Sequence, residues 1–435
     1  PGYFIRKEGQ IYLNTWHGTP WKMMGKDVRG EFMIYGNVSR NFLQASHLIS
    51  PNRYTTDILT EKYDIDGIYR GVTAETGYPR IDLTLNAGDA EKAALKERLG
   101  VSGPGKVVLY APTWRGTHGN PAIESAEVMN EVERLKSIGC HVLFRGHTLS
   151  GGRSEDINVP DDIATNELLS IVDVLVTDYS SIFFDFIATG RPMVFYLKDY
   201  AEYSRDRGLN FGVEELPGEV AYRLDDLVPM VEQAVACDAL QAHPRYADAA
   251  AKFCPVEDGR ACKRVTDLIF SSGRGSVPQP SGKSILLYGG GFLNSGITSS
   301  LLNLLNGIDH SKVRVSIAVE PVVIGNDPDR LRNIGRVPDA VGKLPRSGSV
   351  NTTLEERVLR SRLRRITSLW GNDEVVACYK ALYARDFRRL FGISRFDAVM
   401  ASEGYNAFWS SVLSCAPAGA AGLKTVYQHS DKVAE

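Results

Sequence analysis

Along the chain, short apolar runs of strand length alternate with stretches whose apolar residues recur at helical spacing. Residues 106–111 (KVVLYA), 141–145 (HVLFR), 173–177 (DVLVT) and 193–196 are apolar almost throughout, as strands covered on both faces are. Residues 11–14 and 48–50 are shorter strand candidates. Helices are predicted over 91–99, 122–138, 181–189, 227–235 and 259–270. This alternation predicts an α/β fold of parallel sheets with helices on both faces. Residues 271–284 (SSGRGSVPQPSGKS) carry Gly, Ser and Pro with no apolar period and read as a linker. Beyond it the pattern restarts: a strand at 285–288, the turn Gly289-Gly290-Gly291, a helix at 298–305 and, near the end, a strand at 424–427. Strand, glycine turn and helix in that order open a further nucleotide-binding-type sheet.

A length of 435 residues corresponds to about three domains at roughly 150 residues each. Hydrophobic residues at 43% and charged residues at 23% exclude a disordered or fibrous chain. Lys plus Arg number 50 against 52 Asp plus Glu, a net charge of −2, so a dedicated nucleic-acid binder is disfavoured. Six cysteines without a C-x-x-C pair read as reduced thiols of a cytoplasmic chain, with neither zinc ribbon nor disulfide framework. No apolar run approaches the ~18–20 residues that span a bilayer, and no stretch reads as a charged-then-apolar secretory leader, so a membrane-spanning chain is not expected. The basic run 357–365 (RVLRSRLRR) has helical apolar spacing. It reads as a solvated helix face or as a contact for an anionic membrane surface, which would place the chain peripherally at the inner face of the cell membrane. The opening Pro1-Gly2-Tyr3 lacks Met and leads quickly into a strand, as expected of a segment of a longer protein.

Candidate chemistry collects at predicted strand ends. Trp16-His17-Gly18-Thr19-Pro20, with Lys22 following, comes directly after the strand at 11–14, and a His held there suits a general base at neutral pH. Thr113 and Arg115 follow the strand at 106–111, and Arg145-Gly146-His147 closes the strand at 141–145. In open parallel sheets ligands sit outside the carboxyl ends of strands, so these groups would face one crevice, with Arg matched to phosphate oxygens. Thr177-Asp178-Tyr179-Ser180-Ser181 is a hydroxyl-rich turn entering a helix, a cradle for phosphate as well as a helix cap. There is no G-x-S-x-G elbow, no P-loop, no H-E-x-x-H and no Cys/His cluster, so no metal site is expected. Non-metal transfer of a phosphorylated group remains.

Taken in order, WHGTPWKMMG (16–25), ISPNRY (49–54), GYPRID (77–82), YAPTWRG (110–116), FRGH (144–147), VTDYSSIFFDF (176–186) and RPMVFYLKDYAEYSRDRGLNF (191–211) resemble the CDP-glycerol glycerophosphotransferases. These are polymerases and primases of teichoic acid and related capsule synthesis. The resemblance covers about residues 1–270 and implies a GT-B architecture. Residues 1–85 would be an acceptor-side Rossmann-like domain lacking its opening strands, and 86–270 the donor domain that holds a CDP-alditol. It implies that His17 is the base and that His147 contacts or protonates the phosphate. Gly18, Thr19, Lys22, Arg80, Asp82, Thr113, Arg115, Arg145, Thr177, Asp178, Ser180, Ser181 and Arg207 would bind substrate. CDP-glycerol or CDP-ribitol would be the donor and a polymer or lipid-linked hydroxyl the acceptor, with CMP released and no cofactor. Gly146 stands where the family more often has Pro, and Ile81 where it has Asn. Residues 285–435 are more loosely similar to the N-terminal, acceptor-binding domain of GT-B glycosyltransferases, through LLYGGGFLNSGITSSLLNLL (286–305), FDAVMASEG (396–404) and VYQHSD (426–431). Its donor domain would lie beyond Glu435. A nucleotide-sugar-dependent transferase of the same fold and a non-catalytic scaffold remain as alternatives.

Overall fold

The computed structural model describes residues 2–30, 32–113, 125–146, 159–237, 243–270, 282–363, 373–403 and 405–427. Among the described residues, thirteen strands form three sheets in which every strand pairing is parallel. The first joins β1 (Leu13–Asn14), β2 (His47–Ser50) and β3 (Val72–Glu75) in that order. The second contains β4 (Val107–Ala111), β5 (His141–Phe144), β6 (Val174–Thr177), β7 (Met193–Tyr196) and β8 (Glu219–Ala221) in the order β5-β4-β6-β7-β8. The third contains β9 (Lys283–Tyr288), β10 (Val313–Val319), β11 (Gly342–Pro345), β12 (Phe396–Ala401) and β13 (Ala421–Val426) in the order β11-β10-β9-β12-β13.

The continuous apolar runs are explained by burial on both faces. Along β4, Val107, Leu109 and Ala111 enter one core cluster while Val108 and Tyr110 enter another. In β7, Met193 and Phe195 go to the first and Val194 and Tyr196 to the second. A period of two that is apolar on both sides is what a strand sandwiched between helix layers requires. In the second sheet, the strand order reverses between β4 and β6. The connections there leave in opposite directions, and a crevice opens at the carboxyl ends. Ala111 and Thr177 are register partners at that point, so the loops that follow them emerge side by side.

The first sheet is docked on the second through the segment after β1. Trp21, 1% exposed, is buried in the core of the second sheet's domain, stacked on Phe211 and edge-on to Phe183. Its indole Nε1 donates to the Phe211 carbonyl at 3.0 Å. Asn210 holds the flanking backbone: its amide nitrogen donates to Trp21 O, and its side chain donates to Pro20 O and Lys22 O. Tyr54 adds a bond to Pro20 O and an aromatic edge against Phe253.

The third sheet shares a core with the first. Phe42, Leu43, Leu59, Tyr63 and Ile68 form one cluster with Leu286, Tyr288, Phe387, Leu390, Phe391 and Trp409. Helices Gly36–Gln44 and Asp373–Phe391 are in contact there. The expected linker lies mostly at 271–281, outside the described residues. The third lobe packs back on the first and covers apolar surface that a three-stranded sheet cannot bury alone.

Trp21→Ala removes the plug that joins the first two lobes. We expect a loss of about 3–5 kcal/mol, read from the urea midpoint, because the cavity falls between layers that cannot collapse on it. A loss below about 1 kcal/mol would mean that the lobes dock without it.

Candidate functional site

The segment leaving β1 turns sharply before it reaches the second sheet. Trp16 has a left-handed φ of 52°, its amide donates to Asn14 Oδ1, and its ring packs on Phe42 and Tyr63. The His17 ring lies against Trp16, with centroids 4.1 Å apart, and faces a cleft of about 650 Å³ between the lobes. Gly18 makes the close approach: a Cβ there would sit 3.1 Å from Ser181 Oγ and 3.8 Å from Arg80 Nη2. Partial desolvation, together with the Arg80 guanidinium, lowers the His17 pKa below its ordinary 6.5. The imidazole is therefore neutral at pH 7, as a proton acceptor must be.

Arg80 reaches across the lobe boundary. Its Nε and Nη2 make a bidentate pair with Asp185 Oδ2 and Oδ1 at 2.6 and 2.8 Å, while the guanidinium lies over the Tyr78 ring at 4.3 Å. Asp185 is 5% exposed and also accepts from Asn166 Nδ2. A carboxylate buried among Phe183, Phe184 and Phe186 needs such partners, and they fix the guanidinium against the cleft.

The walls of the cleft come from the loops after β4, β5 and β6. Thr113, Arg145, Ser180 and Ser181 line it, with Lys22 opposite. Arg145 is steadied by a bond from Nη1 to Ile163 O at 2.8 Å. Asp178 accepts from both the amide and the hydroxyl of Thr113, and Thr177 Oγ1 donates to Ala111 O at 2.7 Å. Those two buried residues therefore tie the loops together rather than facing the cleft. The helix after Ser181 spans only Ile182–Ile187, shorter than the predicted 181–189, so this wall presents chiefly the Ser180 and Ser181 hydroxyls.

The remaining sequence candidates lie elsewhere. The two oxygens of Asp82 accept from the Ala261 and Cys262 amides, which makes it a cap for the helix Ala261–Phe270 and not part of the cleft wall. Thr19 is buried and accepts from Thr55 Oγ1. Arg207, just after the helix Tyr200–Asp206, is exposed and outside the cleft lining. His147 and Arg115 lie outside the described residues.

Asp185, Asn166 and Glu257 were not anticipated. A lone acid inside the aromatic run Phe183–Phe186 was the available signal for Asp185. Glu257 had no comparable local signal, because its setting is built by distant segments. Its Oε1 accepts from the Tyr78 amide at 2.8 Å, its Oε2 is buried without a partner, and burial raises its pKa to about 7.

Two lobes of parallel sheet thus bound a polar cleft, lined by His17, Lys22 and Arg80 from the first and by Thr113, Arg145, Ser180 and Ser181 from the second, which defines an α/β protein with an interlobe cleft rich in cationic and hydroxyl groups. Residues 1–271 match the family CDP-glycerol:poly(glycerophosphate) glycerophosphotransferase, and the chain belongs to that family. It is 32% identical over 299 residues to the teichoic acid poly(glycerol phosphate) polymerase of Bacillus subtilis (strain 168), covering 62% of this chain and 39% of that protein. It is also 32% identical over 298 residues to the teichoic acid glycerol-phosphate transferase of Staphylococcus aureus (strain NCTC 8325 / PS 47), covering 62% of this chain and 74% of that one. The solved structure of the wall teichoic acid polymerase TagF superposes with a TM-score of 0.52 at 28% identity, over 61% of this chain and 69% of that one. The family match ends before the third sheet begins.

Glu257 supplies a pH test. The unfolded carboxyl releases its proton near 4.5, the folded one near 7, so the fold loses stability as pH rises between those values and levels off above them. Glu257→Gln should melt with the parent at pH 4.5 and several degrees above it at pH 8. An offset independent of pH would contradict the assignment.

Proposed function

We propose that this chain transfers glycerol phosphate from CDP-glycerol to an acceptor hydroxyl, in synthesis of a teichoic acid-type polymer. The observation that carries the reading is the neutral His17 imidazole facing a hydroxyl-and-guanidinium wall at the point where the second sheet reverses. The family match and the two 32%-identical relatives support the chemistry.

In this reading the donor lies over the carboxyl ends of β4 and β6. Its diphosphate is held by Ser180, Ser181 and Arg145, with Thr113, whose amide and hydroxyl are both given to Asp178, shaping the wall beside them, and Arg80 and Lys22 closing from the first lobe. His17 takes the proton of the acceptor hydroxyl, whose oxygen attacks the β-phosphorus. The bond from that phosphorus to the bridging oxygen breaks, a phosphodiester forms, and CMP leaves with the electron pair. Fixed guanidinium groups offset the charge that gathers on the phosphoryl oxygens. His147 and Arg115 belong to this proposal as further phosphate contacts. Residues 1–85 are read as the acceptor-side lobe and 86–270 as the donor domain. The acceptor is read as a polymer or lipid-linked hydroxyl at a membrane surface, where the chain would sit peripherally. Among the described residues no helix is long and apolar enough to cross a membrane. CDP-ribitol is the other donor to compare, because a poly(ribitol-phosphate) polymerase is 30% identical over 211 residues. The third sheet, whose order reverses between β9 and β12, is read as the opening domain of a glycosyltransferase-like module.

His17→Ala should lower kcat by roughly 10²- to 10⁴-fold while leaving CDP affinity nearly unchanged. In the parent, the acid limb of kcat/KM should have its midpoint below 6.5, set by the lowered His17 pKa. Full activity in the variant would remove His17 from the mechanism.

A further inference from the structure

A second concave site lies at the opposite, amino-terminal ends of the strands. The segment before β1 brings Arg6 and Lys7 to it, and the end of the helix Asp373–Phe391 with the lead-in to β12 brings Arg388, Ser394 and Arg395. The turn before β13, residues 417–420, closes a groove of about 370 Å³. It shares no residue with the His17 cleft.

Its charge is one-sided. Arg6, Lys7, Arg388 and Arg395 face a single carboxylate residue, Glu8, and none of the four forms an ion pair among the described residues. Their field extends outward: after burial, Arg6 is the next cause of a lowered pKa at His47, and Arg395 is the next cause at Arg70.

The groove also holds polar atoms that lack partners. Ser394 is 2% exposed and its hydroxyl is unbonded, and Arg6 Nε is buried without an acceptor. Two of the eleven such atoms among the described residues therefore belong to residues of one small groove. Buried donors are rarely left unmet, and these two belong to residues of the same basic groove. Carbonyls at the end of the helix Asp373–Phe391 are directed to protein donors, which leaves the four cations to dominate the groove. Gln44 Nε2 donates to the carbonyls of Arg388 and Arg389, the Gly392 amide donates to Arg388 O, and Arg40 Nη1 donates to Arg389 O. Gln44 Oε1 in turn accepts from the Arg6 amide and holds the amino-terminal segment in place.

We propose that this groove is an exosite for phosphodiester groups of the anionic polymer, binding the chain at a distance from the transfer cleft. The identity of the polymer rests on the function proposed above. Arginine forks match phosphate oxygens, and a flexible phosphodiester chain can follow into a basic concavity that a flat bilayer surface does not enter.

The test is titration of the 435-residue chain with a short synthetic oligo(glycerol phosphate), with inorganic phosphate and phosphatidylglycerol vesicles as separate arms and CDP-glycerol in parallel. The exosite predicts salt-dependent binding of the oligomer. Arg388→Ala/Arg395→Ala should weaken it at least tenfold, with melting temperature and CDP-glycerol affinity unchanged. Inorganic phosphate should compete only weakly. Oligomer binding that is absent, or equal in the variants and the parent, overturns the proposal, as does groove-dependent binding of vesicles alone. If CDP-glycerol fails to bind while the oligomer still depends on Arg388 and Arg395, the transfer reading falls and the anion site stands.

Discussion

The arrangement depends on one contact set across the boundary between the first two lobes: Trp21 plugged into the aromatic core of the second, and Arg80 paired with Asp185 beside it. The plug supplies affinity between lobes through buried aromatic surface, and the ion pair supplies register. Beside them is Gly18, whose missing side chain lets the backbone next to His17 approach Ser181. Without this docking the imidazole and the hydroxyl wall would belong to separate bodies with no fixed distance between them.

The same logic governs the acids of the site. Asp185 is costly where it is buried unless Arg80 and Asn166 meet it, so its presence commits Arg80 to one orientation. Glu257, one layer away and half-satisfied, is held protonated by burial up to about pH 7. Its bond to the Tyr78 amide ties the backbone that carries the ring on which Arg80 lies to the segment returning from the second domain.

Much of this was legible in the chain. The strands of the second sheet stood out because apolar residues on both faces leave uninterrupted runs, and β4, β6 and β7 fall within a residue of their expected bounds. Strand-end loops then pointed to His17, Thr113, Arg145, Ser180 and Ser181. The helix Gly36–Gln44 was missed because its buried face includes Ser39, Arg40 and Gln44, which are satisfied largely by partners distant in sequence. β11 was missed because Gly342 and Pro345 imitate a turn. Asp82 looked like a ligand group because its motif neighbours the site, and only the fold reveals that its oxygens cap a helix about 180 residues later. The shared core of the first and third sheets was equally hidden, since hydrophobic patterning marks a face as buried without naming its cover.

The central claim is that the cleft at the β4–β6 reversal takes a cytidine diphosphate-linked alditol. Calorimetric titration of the chain with CDP-glycerol, CDP-ribitol, CDP and UDP tests it most directly. The account predicts heats and saturation for the cytidine compounds, with one of the two CDP-alditols binding more tightly than CDP and UDP binding negligibly. Preference for UDP, or no binding by any cytidine compound, would contradict it.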